Sequence, residues 1–336
     1  MIKGKLPGGA LASMLLLTAA PVQAQSAEDF YRGKNITLLV GSGAGGSYGL
    51  YARLINEFMP KYIPGNPSII VRFTGGQSGG LDVANLMHNT VQPDGLTMAM
   101  TQQTIVMHQV LQPQYAKYDA REWYWLGNMS PIRNMLLVWH TAKAQSVEQA
   151  KNVEVVIGAT GPSSPTSIVP RMLNKLAGTK FKLVMGYKGV ADLDLAMRRG
   201  EIEGRGASWV SAQTGLANEI AEKKVRAIVF ASRTREPTAP DVPTLAEVMP
   251  TEDGKRVANF LAAESDFGRS VFLPPRTPAD RAAVLRKAFE AAMKDEGLLA
   301  MAAKMKISIE PVSGDTLAAI TREVVATPKE ILELAK

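Results

Sequence analysis

The sequence predicts an α/β protein built as two lobes, and three observations carry that expectation. Apolar strand patterns alternate with helical ones over residues 36–100 and again from residue 153, as in parallel sheets covered by helices. Two glycine-rich loops, Gly41-Ser42-Gly43-Ala44-Gly45-Gly46-Ser47 and Gly75-Gly76-Gln77-Ser78-Gly79-Gly80, each join a strand pattern to a helical one. A stretch rich in proline and charge, Arg233 to Pro250, interrupts the alternation before Phe272. Such a break suits a chain passing between two units.

At the N-terminus, Lys3 and Lys5 precede a short apolar run, Ala10 to Leu17, and then Pro21 and Val22-Gln23-Ala24. These are the three parts of a secretory signal peptide, with cleavage expected after Ala24. A membrane-spanning helix needs about 20 apolar residues, and this run is too short. The expectation is therefore an exported, soluble protein beginning at Gln25.

Beyond it, Ile36 to Val40 reads as a buried strand, followed by the first glycine loop and a helix with Leu50, Leu54, Ile55 and Phe58 on one face. Pro60, Pro64-Gly65 and Pro67 break the chain before the strand Ile69 to Phe73 and the second loop. A helix with Val83, Leu86 and Met87 leads through Pro93-Asp94-Gly95 to the strand Leu96 to Met100. That β-α-β-α-β order implies a parallel sheet with right-handed crossovers.

The second series begins with the strand Val153 to Ile157, a polar turn over 158–167 and a helix to about Leu176. Phe181 to Met185 is the next strand, and a helix carrying Leu193, Ala196 and Met197 leads to a strand around Ile202. Asp192 and Asp194 flank that helix start and read as capping or solvated. A helix from Trp209 to about Lys224 and a strand Val225 to Ala231 follow. Near the C-terminus, Thr277-Pro278-Ala279-Asp280 reads as a helix start with Thr277 as N-cap. Leu285, Ala288, Phe289, Ala292 and Met293 supply its buried stripe. Trp123 and Trp125 read as core or hinge packing.

Composition excludes several chemistries. There is no cysteine, so disulfides, thiolate metal sites and a thiol nucleophile are ruled out. The three histidines, His88, His108 and His140, form no metal-spaced pair, and no metal or other cofactor is expected. The formal charge of +7 includes the two signal-peptide lysines, and no Lys/Arg block points to nucleic acid.

A strand–glycine loop–helix unit aims bare backbone N–H groups at one point, which suits an anion. Gly41-x-Gly43-x-x-Gly46 matches a dinucleotide fingerprint by letters. That fingerprint wants an acidic residue at the end of the next strand, where this chain has Thr74 and the second glycine loop. No Gly-Lys-Ser/Thr completes a P-loop, and no serine sits in a nucleophile elbow. Two glycine loops at neighbouring strand ends instead suggest a pincer for a carboxylate or phosphate. Further strand-end segments could complete the cleft: Thr101, Gln102 and Thr104; Ser163 and Ser164; Tyr187 with Lys188; and Ser208.

Taken in order, these segments resemble the extracytoplasmic solute receptors of tripartite tricarboxylate transporters. The resemblance covers essentially the whole chain after the signal peptide. It runs through Ile36 to Gly46 with Tyr51-Ala52-Arg53-Leu54, the second loop, Pro93-Asp94-Gly95 and Tyr187-Lys188-Gly189. Pro240-Asp241-Val242-Pro243-Thr244-Leu245-Ala246-Glu247 and Pro274 to Arg286 complete it.

The resemblance implies a type II periplasmic-binding-protein fold, with lobe 1 formed by 25–127 and 236–336, lobe 2 by 128–235, and a two-strand hinge. It implies a monomeric periplasmic receptor that holds a small carboxylate between the lobes for transporter membrane subunits. The pincer maps to Gly45, Gly46 and Ser47 with the adjoining Tyr48, and to Gln77, Ser78 and Gly79. Many members have proline before the first Gly-Gly and aspartate three places after it; here these are Ala44 and Gly49. An exported sensor module and an enzyme on the same fold are the alternative readings. The enzyme would need a general acid, base or nucleophile in the cleft, where only Tyr187 and Lys188 are candidates.

Overall fold

The computed structural model describes residues 1, 2, 4, 27–44, 47–74, 80–161 and 164–335. All residues that carry the signal-peptide expectation lie outside this set, as do Gly45, Gly46, Gln77, Ser78, Gly79 and Ser163. Among the described residues no helix is long and apolar enough to cross a membrane.

The first part runs α1 (Ala27–Tyr31), β1 (Asn35–Val40), α2 (Ser47–Phe58), β2 (Ser68–Phe73), α3 (Leu81–Asn89), β3 (Thr97–Met100), α4 (Ile105–Leu111) and β4 (Tyr124–Asn128). As the apolar runs predict, β1 pairs in parallel with β2 on one side and β3 on the other. Ile36, Leu38 and Val40 are fully buried on one face of β1, while Leu39 packs into a second cluster on the other. Helices thus cover both faces, which parallel strands require. In α3 the buried residues are Val83, Ala84 and Met87, whereas Leu86, expected on that face, is exposed.

The chain then builds a second sheet through β5 (Asn134–Trp139), α5 (Val147–Ala150), β6 (Val155–Gly158), α6 (Pro165–Met172), β7 (Phe181–Val184), α7 (Val190–Arg198) and β8 (Gly204–Ser208). It closes with α8 (Trp209–Gly215), α9 (Ala217–Ala221) and β9 (Val225–Ala231). The single helix expected from Trp209 to Lys224 is broken at Leu216, whose φ/ψ of −128°/28° leaves the helical region. Asp194 is not solvated. It is 4% exposed and pairs with the fully buried Arg205 of β8, because α7 lies against that strand and a buried guanidinium demands a counter-charge.

The return passes through α10 (Glu252–Asp266), β10 (Ser270–Leu273), α11 (Ala279–Ala292), α12 (Glu296–Lys304), β11 (Val312–Ser313), α13 (Gly314–Val325) and α14 (Lys329–Ala335). At the start of α11 the expected Thr277 cap is absent: the Thr277 hydroxyl donates to the Pro274 carbonyl at 2.8 Å. The resulting sheet orders are β11-β4-β10-β3-β1-β2 and β7-β6-β8-β5-β9. Trp123 and Trp125 are core residues under the first sheet, and Trp123 stacks on Phe272 at 4.1 Å.

Two crossings join the sheets, Met129 to Arg133 outward and the α10–β10 junction on return. They are laced together. Asn128 donates to the Asp266 carbonyl at 2.8 Å and accepts from Arg269 N at 2.7 Å. Ile132 N donates to the Ser265 carbonyl at 3.0 Å. Before this junction, residues 242–249 lie along the second sheet: Phe230 bridges Thr244, and Leu245 and Met249 join its core.

Candidate functional site

In each sheet one parallel strand has its sequence successors on opposite sides. β1 lies between β2 and β3, and β6 between β7 and β8. Ligands of open α/β sheets bind at such switch points, outside the carboxyl ends of the strands. The first switch point is closely packed. Gly41 N donates to the Met100 carbonyl at 2.9 Å. A Cβ on Gly41 would lie 2.7 Å from Gly80 Cα, and one on Gly80, at φ +86°, would lie 3.0 Å from Thr101 Cβ. The described ends of both glycine loops therefore meet over Thr101, and only glycine allows that approach.

A cavity of about 490 Å³ lies between the two switch points. Tyr48, Gln102, Gln103, Thr104 and His108 line it from the first sheet's side, and Ser164, Thr166, Ala207, Ser208 and Ser211 from the second's. Ile132 of the crossing, Asn134 at the start of β5, Val190 of α7 and Glu264 of α10 complete the wall. Five residues singled out in the sequence, Tyr48, Gln102, Thr104, Ser164 and Ser208, are thus brought together. Thr101 is buried beneath the loops. Ser47 is exposed and tied to Arg269. Tyr187 stands apart from the wall and packs into the second sheet's core beside Gly158.

Helix starts hold the second sheet's hydroxyls in place. Ser164 caps α6, accepting from Thr166 N at 3.2 Å and from the Thr166 hydroxyl at 2.9 Å. Ser208 caps α8 and accepts from Ser211 N at 3.4 Å. Both are ordinary N-caps by sequence, yet the strand ends aim them into one space.

Glu264 and Arg269 come from segments that sequence reasoning did not single out, whereas Gln103 lies in the Thr101–Thr104 segment that follows β3. Gln103 N donates to the Tyr48 hydroxyl at 3.0 Å, and its side-chain amide donates to Glu264 Oε1 at 2.5 Å. Burial pushes the Tyr48 phenol up to about 12, partly offset by Arg269. Burial also raises the Glu264 carboxyl above its ordinary value, against the Gln103 hydrogen bond, and lowers the His108 imidazole.

Arg269 is 4% exposed. It donates to the Pro131 carbonyl at 3.2 Å and to Ser47 Oγ at 3.3 Å, and lies 4.7 Å over the Tyr51 ring. It ties the crossing to the first glycine loop. No local pattern marks an arginine between Gly268 and a strand for that task.

A second cavity of about 340 Å³ shares Thr104, His108, Asn134 and Glu264 with the first, and is otherwise lined largely by apolar side chains such as Met107, Leu111, Met172 and Leu261. The arrangement suits holding and releasing a small ligand: neutral donors and acceptors dominate, with a single carboxylate. Among the described residues no group of ligands for a metal ion occurs.

No protein-family model matches the chain. A TctC solute-binding protein from Polaromonas superimposes with a TM-score of 0.70 at 20% identity, over 90% of this chain and 98% of that one. The chain shares its fold with this TctC protein and with the periplasmic binding protein BugD. It is the two-lobe type II periplasmic-binding fold that the sequence leads one to expect.

Two further similar structures are MatC from Rhodopseudomonas palustris with bound malate and R. palustris Rpa4515 with adipate. MatC has a TM-score of 0.55 at 19% identity, over 90% of this chain and 99% of that one. Rpa4515 has a TM-score of 0.58 at 18% identity, over 90% of this chain and 97% of its own. In sequence, a UPF0065 protein of the TAR-I ttuE-ttuC' intergenic region of Agrobacterium vitis is 26% identical over 291 residues, 85% of this chain and 78% of the relative.

Proposed function

We propose that the protein is a periplasmic receptor that captures a small organic carboxylate between its lobes and delivers it to a tripartite tricarboxylate-type membrane transporter. One observation carries the reading: a single cavity collects the strand ends of both switch points, lined mainly by neutral hydroxyls and amides. In this reading residues 1–24 are removed on export. The carboxylate sits against Gly45, Gly46 and Ser47 on one side and Gln77, Ser78 and Gly79 on the other. Lobe 1 comprises 25–127 and 236–336 and lobe 2 comprises 128–235, with 242–249 lying along the second sheet. The protein acts as a monomer and releases its ligand unchanged. The cavity's titrating groups are Tyr48, His108 and Glu264, and among the described residues no hydrogen bond joins one of them to a serine or threonine hydroxyl as in a base–nucleophile pair.

A melting assay with a panel of small carboxylates, NAD and ATP tests the proposal. A ligand that binds only the folded state at a hundredfold excess over Kd stabilises it by about 2.7 kcal/mol. One or more carboxylates are expected to raise Tm while the nucleotides do not. A shift with nucleotide alone would overturn the reading.

A further inference from the structure

The two cavities adjoin where the sheets face one another, and they share Thr104, His108, Asn134 and Glu264. Beyond that junction their linings differ in kind. Of the ten described residues that line the larger cavity alone, only Ile132, Val190 and Ala207 are aliphatic. Of the twelve that line the smaller one alone, nine are aliphatic or methionine, and the exceptions are Gln112, Arg171 and Ser265.

The change runs along α4. The larger cavity's lining stops at His108, whereas the smaller one's continues to Leu111 and Gln112 at the helix end. From Thr104 at the junction to Leu111 is about 10 Å along the helix axis, room for a chain of several carbons. Ile168 and Met172 of α6 supply the second lobe's wall, and Leu261 comes from α10. A hydrocarbon chain that enters this space leaves water, and each methylene buried there is worth about fourfold in affinity. Met107 and Met172 are unbranched and adapt to chains of different shape. Among the described residues the lining carries two formal charges of opposite sign, Glu264 at the junction and the exposed Arg171. A second carboxylate reaching into this cavity therefore gives up water without a buried cation in return.

We propose that the smaller cavity is a hydrocarbon subsite and that the protein takes an amphiphilic monocarboxylate. Its carboxylate lies among the hydroxyls and amides of the larger cavity, and its apolar chain passes the junction to lie among Met107, Leu111, Ile168 and Met172. The proposal rests on the receptor reading and names its ligand class. The larger cavity selects the head group, and the smaller one selects chain length.

Calorimetry of the full protein at pH 7 tests this with butanoate, hexanoate and octanoate beside succinate, adipate and suberate, the dicarboxylates of equal length. Affinity is expected to rise tenfold or more from butanoate to octanoate, and octanoate is expected to bind more tightly than suberate. Leu111→Gln and Ile168→Gln each place an amide in the apolar wall from a different lobe, at positions that are only partly buried. Each variant, its fold checked by circular dichroism, is expected to remove most of the rise with chain length. Affinity that is flat or falls with chain length would overturn the inference and leave the receptor reading standing. Dicarboxylates that bind as tightly as the equal-length monocarboxylates, or a rise that survives both variants, would do the same. Failure of both series to bind overturns the inference, and with no other carboxylate shifting Tm the receptor reading falls too.

Discussion

At the residue scale, Gly49 lies buried in the first turn of α2. A Cβ there would lie 2.1 Å from the Ala44 carbonyl oxygen, because the Ala44 backbone lies against the opening turn of α2. Gly49→Asp must push that stretch of the first glycine loop away. It is expected to cost about 1–3 kcal/mol, the range for overpacking, and to weaken carboxylate binding. Thermal melts with calorimetry check this, and a variant with unchanged Tm and affinity would refute it. Arg269 acts from the other side of the same loop. Lysine keeps the charge but lacks the planar fork that reaches both Pro131 and Ser47. Arg269→Lys is expected to fold and to lose roughly tenfold in affinity, about one hydrogen bond to a charged group. Undiminished affinity would show that the loop holds its place without the arginine.

At the scale of elements, α10 is where the chain's polar groups are least comfortable. Burial raises the Asp266 carboxyl from its ordinary 3.8 to about 6, against the pull of Arg233 and Arg133. An acid with a raised folded-state pKa binds its proton more tightly when folded. Its contribution is therefore most favourable below about pH 4, is lost as pH rises to about 6, and is level above that. Asp266→Asn removes the cost and is expected to stabilise the protein at pH 8 by on the order of 2–3 kcal/mol, with little difference at pH 4. Urea denaturation at the two pH values measures the gap. Equal effects at both would mean that Asp266 is not held in a raised state. The Asp194–Arg205 pair is the contrasting case, a buried charge whose partner sits on the adjoining element.

For the whole molecule, the cavity belongs to neither sheet alone. Its wall is drawn from both switch points and from the crossing, so a ligand held there bridges the lobes and favours the closed arrangement. Small-angle scattering is expected to show a smaller radius of gyration with a binding carboxylate than without it. An unchanged profile at saturating ligand would mean that binding does not close the cleft. Lacing of the crossings through Asn128 confines such movement to a short junction.

Much of this architecture was legible in the residues. The largely apolar runs at 36–40, 69–73 and 225–231 predict strands, and the central one, 36–40, is buried on both faces, whereas edge strand β2 leaves Ile70 and Phe73 exposed. Glycine marked where backbone passes backbone, and Gly41 and Gly80 meet at such a point. Tyr48, Gln102, Thr104, Ser164 and Ser208 drew attention because they follow strand ends. What the sequence by itself determined was local: which segments are strands, and what each strand end offers. The tertiary structure decided which ends face one another, and with that the place of β4, β5 and β10. Only the docking of α10 against both lobes puts Glu264 on the cavity wall. Likewise, Arg269 reaches Ser47, 222 positions away, only because the crossing folds beneath the first loop. Such contacts depend on packing between segments distant in sequence, which leaves no periodic trace in either segment.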